Sequence, residues 1–245
     1  MTPSGESALP ARHKWLVRAA FGGCMAFNLL AASAFGGQRQ IHSMSAAMFN
    51  NVFLAYIPVE LSLHISRFRG PVVFWTLLAA WMLFYPNAPY VLTDYFHLAY
   101  VDPYIVLENG RRTALLRQDT HLWLSFTILS LSALFSSLLG TWSMDRTVRQ
   151  VQARLRRPGA WWRILFVSTA TCLSSVGIYL GRFPRLHSVD MLTRPRHAIA
   201  QAAQTCRPDT LEFVLLLTLV QMALWGCLLV LRTVSRQEPA AIART

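Results

Sequence analysis

Charged side chains are scarce in this sequence. Asp, Glu, Lys and Arg make up 14% of its 245 residues, whereas soluble domains carry about 25%. A surface that faces water on all sides needs more charge than this, so the composition argues against a soluble protein. The hydrophobic residues, 54% of the total, are gathered in long runs instead.

Acidic residues are scarcer than basic ones, 11 against 23, which gives a formal net charge of +12. In a soluble chain this excess would indicate nucleic-acid binding. Here the arginines lie between the apolar runs, so we expect the anionic head groups of membrane lipids, and no nucleic acid, as partners.

Cysteine is also rare, and the common catalytic fingerprints are missing. The four cysteines form no Cys-x-x-Cys pair, so we expect neither a structural disulfide nor a zinc–thiolate site. The chain has no Gly-x-Ser-x-Gly elbow, phosphate-binding loop or dinucleotide motif. No cofactor can therefore be assigned from a motif.

Six apolar runs have the roughly 20 residues that a helix needs to cross a hydrocarbon core of about 30 Å. They predict an all-α fold, a polytopic bundle of about six transmembrane helices over residues 15–232, between tails at 1–14 and 233–245. The predicted spans are Trp15–Phe35, Met44–Ile65, Pro71–Leu92, Leu122–Thr141, Trp161–Leu180 and Leu211–Leu231.

The first span has a second interpretation, because the small residues Ala32–Ala34 follow its apolar stretch in the manner of a signal-peptide cleavage site. A retained helix is preferred, since the run is longer than a usual signal core. Cleavage would leave the orientation of the other spans unchanged.

The arginines predict the orientation, because cytoplasmic loops are enriched in Lys and Arg. The segment from Arg146 to Arg163 is short and dense in arginine, which places both termini in the cytoplasm and the chain in a bacterial inner membrane. Two roles are open for this segment. Either it lies along the inner leaflet and binds anionic lipid, or its only role is to fix the orientation of the chain in the membrane.

The stretch Phe84–Leu98 lies where the third span meets the outer surface, and it contains the segment Pro86–Tyr90 (PNAPY). Because proline lacks an N–H group, two carbonyls one turn earlier lose their helical partners. Such backbone is tolerated at membrane depth only against protein or a water-filled cavity. On a helix that starts after the break, Tyr90, Asp94 and His97 would share one face. Asn87 would offer its amide to a ligand or bond a freed carbonyl.

A second polar run, Gly181–Asp190, follows the fifth span and is predicted to emerge on the same side. Asp190 would then meet the polar groups of the first run. Arg182 and Arg185 would grip a phosphate or carboxylate bidentately, or form ion pairs within the protein.

Metal binding is a further hypothesis for these two runs. The side chains of Asp94, His97, His187 and Asp190 suit zinc or a harder divalent ion. The competing interpretation is an ion-paired rim that ties the two loops together, and no metal ligand is assigned.

The same two runs carry a family resemblance. The chain resembles a bacterial family of uncharacterised integral membrane proteins, domain of unknown function number 1361, from about the second span to Asp190. The PNAPY run with Thr93–Leu98 is the most specific part, and Gly181–Arg185 is the second. Where the family pattern looks like Asn-Ser-Trp-Asp, this chain has His187–Asp190 (HSVD). The resemblance implies a membrane fold and brings no activity.

The leading functional hypothesis is one polar site that faces away from the cytoplasm. As an enzyme, the protein would act on a lipid or lipid-linked anionic substrate, with an acid/base group at the site. The alternatives are a small-solute or ion transporter or channel, gated at the proline break, and a non-enzymatic membrane scaffold. The absence of a visible internal repeat argues against a transporter. The candidate catalytic residues are Asp94, His97 and Asp190, and the candidate substrate-binding residues are Arg182, Arg185, Asn87 and Tyr90.

Overall fold

A computed structural model describes residues 10–35, 39–65, 67, 70–100, 104–185, 193, 196, 200 and 207–242. Its helices are α1 (Ala11–Ala34), α2 (Arg39–Ile65), α3 (Pro71–Phe84), α4 (Asn87–Tyr90), α5 (Thr120–Leu155), α6 (Ala160–Arg182) and α7 (Pro208–Ile242). A 3₁₀ helix, Val91–Tyr100, follows α4 directly. An antiparallel hairpin of β1 (Tyr104–Val106) and β2 (Arg112–Leu116) precedes α5.

Six helical segments in the described part of the chain are long and apolar enough to cross a membrane. Their outward faces carry leucines such as Leu216 and Leu219, each 66% exposed, because lipid rather than water surrounds such a bundle. The predicted all-α membrane fold with six spans is confirmed. The segments are Ala11–Ala34, Ile41–Ile65, Pro71–Leu98, Thr120–Leu155, Ala160–Arg182 and Pro208–Ser235.

The fourth span differs most from its predicted bounds, since α5 continues from Thr141 to Leu155. The start of the expected Arg146–Arg163 loop is therefore the last turns of α5, and Arg146 is only 5% exposed. The helix ends where Arg156 has a φ of 53°, followed by Gly159 with a φ of 123°. The positive φ of Arg156 directly after Leu155 is typical of helix ends, and Gly159 immediately precedes α6.

The chain divides into two compact units. The first contains Met1–Tyr56 and Asn87–Ser137, and the second contains Ile57–Pro86 and Leu138–Thr245. Helices α2 and α5 contribute residues to both.

Helix α1 packs into the first unit through an aromatic side chain and an amide. The Phe21 ring meets Tyr56 at 5.2 Å and Phe135 at 4.9 Å between centroids, both edge-on. The buried amide of Asn28 donates to the hydroxyl of Ser132 at 3.0 Å. Polar contacts of this kind join helices in membranes, where apolar burial alone does not distinguish a neighbouring helix from lipid.

The second unit has an aromatic core. Trp81 and Tyr85 are 2% and 1% exposed and stack at 4.7 Å between centroids. The Trp81 indole N–H donates to the hydroxyl of Ser143 at 2.9 Å, which in turn donates to the carbonyl of Pro58 at 3.1 Å. This chain of hydrogen bonds connects α3, α5 and α2 within the unit.

Candidate functional site

The third membrane span is broken at Tyr85 and Pro86, as its prolines predict. Helix α3 ends at Phe84, two turn residues follow, and α4 and the 3₁₀ helix complete the span. The Thr93 hydroxyl donates to the carbonyl of Tyr90 at 2.7 Å, which gives the start of the 3₁₀ helix a side-chain donor. The break changes the helix type before the chain reaches Asp94.

The 3₁₀ conformation brings Asp94 and His97 together, because residues three apart eclipse one another in such a helix. The imidazole Nδ1 of His97 lies 3.5 Å from Oδ1 of Asp94 and 3.0 Å from the Asp94 carbonyl oxygen. The expectation that Tyr90 shares this face assumed an α-helix. The four-residue step from Tyr90 to Asp94 does not keep one face in a 3₁₀ helix.

Asn51, on α2, completes this group within the first unit. Its side-chain amide donates to Oδ2 of Asp94 at 2.6 Å. The Asp94 residue is 1% exposed, whereas the His97 side chain is 40% exposed. We call these three residues the Asn51–Asp94–His97 relay: a buried carboxylate is held from one side by an amide and faces an accessible imidazole on the other.

The hydrogen-bond partners define the tautomer of His97. Both atoms near Nδ1, the Asp94 carbonyl oxygen and the carboxylate Oδ1, are acceptors. These contacts favour the neutral tautomer with the proton on Nδ1 and the lone pair on Nε2. This arrangement suits general acid–base chemistry at Nε2, with the carboxylate orienting the ring.

Sequence reasoning named Asp94 and His97 as candidate site residues, which stays a prediction, and did not name Asn51. The available signal was the pair Asn50-Asn51 inside an otherwise apolar span, because amides in a membrane helix are costly unless they are bonded. The spacing of 43 residues between Asn51 and Asp94 gave no indication that the two would meet.

Asn87 and Tyr90 both lie on α4, and both are half-buried. Each has interactions within the protein. Their assignment as substrate-binding residues stays a prediction.

Arg182 and Arg185 belong to the second unit, and Asp190 lies outside the described residues. Arg182 is the last residue of α6 and is half-buried, and Arg185 is exposed with a φ of 58°. The expected grouping of these three residues with Asp94 and His97 stays a prediction.

The structure describes only two of the four side chains proposed as metal ligands, those of Asp94 and His97. Within the described ranges, no group of three His, Cys, Asp or Glu side chains is arranged to hold a metal ion. His187 and Asp190, two of the four proposed ligands, lie outside those ranges.

A second polar cluster, in the second unit, was not expected. Asp145 on α5 is 0% exposed, and its carboxylate bonds the guanidinium groups of Arg163 on α6 and Arg232 on α7. Nη2 of Arg149 lies 3.2 Å from Oδ2, and the indole N–H of Trp225 donates to Oδ1 at 2.9 Å. We call these five residues the Asp145 cluster.

A neighbouring pair extends this polar region. Nε of Arg146 donates to the carbonyl of Ser62 at 3.3 Å, and the Gln150 amide donates to the same oxygen at 3.4 Å. Sequence reasoning counted these arginines as topological charges. The missed signal was Asp145 itself, a carboxylate four residues before Arg149 at the end of an apolar span.

Six apolar spans with buried polar clusters define a multi-pass helical membrane protein. The chain matches the family model described as "Protein of unknown function (DUF1361)" over residues 50–224. It belongs to this family, as the two polar motifs indicate. The matched range includes Asn51, Asp94, His97 and Asp145, and it ends one residue before Trp225. No curated protein and no solved structure matches the chain.

Proposed function

We propose that this protein is a membrane enzyme that uses the Asn51–Asp94–His97 relay for general acid–base catalysis on a lipid or lipid-linked substrate with an anionic head group. One observation carries the proposal: a buried carboxylate, fixed by an amide from another helix, lies 3.5 Å from a partly exposed imidazole.

The chemistry follows from the roles of the three groups. In the proposed reaction, Nε2 of His97 takes the proton of a water or hydroxyl group as that oxygen attacks the substrate. His97 gives the proton to the leaving group as its bond to the substrate breaks, and Asp94 stabilises the imidazolium between these steps. Asn51 holds the carboxylate, so that the imidazole needs no reorientation. Positioned acid–base groups contribute about 10²–10⁴-fold to reaction rates.

The position of His97 supports a lipid substrate. The ring lies one residue before the end of the membrane segment Pro71–Leu98, beside Phe96, which is 73% exposed. The end of a membrane span is where the acyl chains meet the head groups. Binding of the head group by Arg182 and Arg185 is the part of the proposal that rests on sequence alone.

The arginine distribution supports the compartment that we propose. The turn after α5 carries Arg156 and Arg157, and α6 begins with Arg163 in its first turn. With this end in the cytoplasm, both termini are cytoplasmic and the relay faces away from the cytoplasm of a bacterial inner membrane.

The test compares lipid profiles by mass spectrometry in a deletion strain complemented with the wild-type protein, with His97→Ala, or with His42→Ala. His42 is a matched control because it is an exposed histidine of the same unit, bonded to the carbonyl of Ala32 at 3.1 Å. We expect His97→Ala to reproduce the deletion profile at normal protein abundance, and His42→Ala to restore the wild-type profile. If the deletion leaves the lipid profile unchanged under several growth conditions, the proposed enzymatic function is wrong.

A transporter is the second candidate, and the break of the third span at Tyr85 and Pro86 is the observation that favours it. Broken spans supply the gates and binding sites of many transporters. Reconstituted liposomes distinguish the two candidates. A solute or proton flux that disappears in Asp94→Asn supports transport, and the absence of flux together with an altered lipid profile supports the enzyme.

A further inference from the structure

Among the described residues, the Asp145 cluster brings three guanidinium groups to one carboxylate. One aspartate faces the guanidinium groups of Arg149, Arg163 and Arg232, so the group has a formal charge of −1 + 3 = +2. All three arginine side chains are between 24% and 28% exposed. An anion bound beside these side chains would offset part of this positive charge.

A cavity adjoins the cluster on one side. Its volume is about 370 Å³, and its described lining residues are Arg149 of α5 with Leu231, Arg232 and Ser235 of α7. The space is shallow and open to the surroundings of the protein. Two arginines of the cluster thus border the same space, together with one hydroxyl and one apolar side chain.

Arg232 is already positioned for an anion in this space. Its Nη1 donates to Oδ2 of Asp145, whereas a guanidinium has five N–H donors in a fixed planar arrangement. Asp145 thereby orients the side chain while leaving donor capacity on the remaining nitrogens. A bidentate oxyanion matches that geometry better than a single-point ligand.

We infer that this cavity binds a phosphate group, presented by a lipid head group or by free phosphate. The formal charge of +2 matches a phosphate with one or two negative charges. The cavity also lies at the end of the membrane segment Pro208–Ser235, where head groups are found, and Leu231 provides an apolar wall. This site is independent of the Asn51–Asp94–His97 relay and of the reaction proposed for it.

The first test places a carboxylate in the cavity. In Ser235→Glu, the new side chain occupies the space and neutralises the arginines without altering any member of the Asp145 cluster. Thr233→Glu is the matched control, because Thr233 is exposed on the same helix and two residues, about 200° of helical turn, separate it from Ser235. Both variants change the charge equally.

The measurement is the Tm of the full-length protein in an uncharged detergent, with phosphatidic acid, phosphatidylcholine or inorganic phosphate added. We expect phosphatidic acid to raise the Tm of the wild type and of Thr233→Glu by about 5 °C near saturation, and to leave Ser235→Glu unchanged. A rise with the lipid alone identifies a head group as the source. A rise with inorganic phosphate identifies the free ion.

A second, neutral variant keeps the inference testable if Ser235→Glu does not fold. Ser235→Leu fills the same space without a charge, at a position that is exposed and whose hydroxyl bonds only the carbonyl of Leu231 among the contacts described. Native mass spectrometry should then show fewer retained phosphatidic acid molecules than in the wild type. The inference is overturned if neither phosphate source stabilises the wild type, or if the filled variants respond as the wild type does.

Discussion

Asp145 joins three helices through a single carboxylate, with partners on α5, α6 and α7. In Asp145→Ala, the guanidinium groups lose their shared counter-charge and repel one another. We expect the free energy of unfolding to fall by about 3–5 kcal/mol, the usual cost of removing one partner from a buried ionic group. Titration with a denaturing detergent, followed by circular dichroism, measures this loss.

Glu108→Ala is the control for that measurement. Glu108 is exposed in the hairpin turn between β1 and β2, and its loss changes the net charge by the same amount. Substitutions at such surface positions usually remain within about 0.5 kcal/mol. Equal stabilities of the two variants would show that the Asp145 cluster contributes no more than a surface charge.

At the residue scale, the difference between Asp94 and Asp145 shows what the sequence could predict. Asp94 was proposed as a site residue because its neighbours form a recognisable polar run after a proline break. Asp145 was missed because its partners Arg163 and Arg232 are 18 and 87 residues away, and arginines at span ends are common. Local patterns locate a polar group, but long-range packing decides what it bonds.

At the element scale, the same contrast explains the bounds of the helices. Hydropathy predicts a span to end at its first charged residues, so the fourth was expected to end at Thr141. Helix α5 continues to Leu155 because Asp145 and Arg146 are bonded inside the second unit and need not leave the helix to reach water. The third span was predicted correctly as broken, since proline affects the backbone locally.

Pro86, at the break in the third span, packs closely against a glycine in α6. A Cβ added at Gly177 would lie 2.9 Å from Cγ and 3.2 Å from Cβ of Pro86, so the proline ring packs directly on the helix backbone. We expect Gly177→Ala to lower the free energy of unfolding by about 1–3 kcal/mol, because the rigid ring must move. Detergent denaturation measures the change.

Gly226→Ala in α7 provides the comparison. A Cβ there has no described atom within 4 Å, so only the helix propensity changes, and alanine should stabilise the helix by about 0.5–1 kcal/mol. The two substitutions are chemically identical and lie in the same unit. If Gly177→Ala and Gly226→Ala both stabilised the protein, Gly177 and Pro86 would not be in close contact.

At the scale of the whole molecule, the number of spans was predictable because lipid imposes one length on every membrane helix. The lipid surroundings also prevent the sequence from indicating which helix faces pack together. Where lipid covers the outside, leucines occur on both faces of a helix, so hydropathy does not reveal which face packs. The division into two units and the contacts Asn28–Ser132 and Asn51–Asp94 therefore had no counterpart in the apolar pattern.

The orientation of the chain in the membrane can be tested at the two ends of α5. Helix α5 has 36 residues, about 54 Å at about 1.5 Å per residue, so the hairpin before it and the turn after it should lie on opposite sides of the membrane. Single cysteines at Asn109 and Pro158, both exposed, report these positions in a background without native cysteines. We expect an impermeant maleimide to label only Asn109→Cys from outside the inner membrane.

The control is labelling of Pro158→Cys after the membrane has been opened, which shows that its thiol is reactive. Labelling of both thiols from outside would contradict α5 as a membrane span. Labelling of Pro158→Cys alone would reverse the orientation, because the arginines would then lie outside. The Asn51–Asp94–His97 relay would in that case face the cytoplasm, and its substrates would be sought among cytoplasmic lipid precursors.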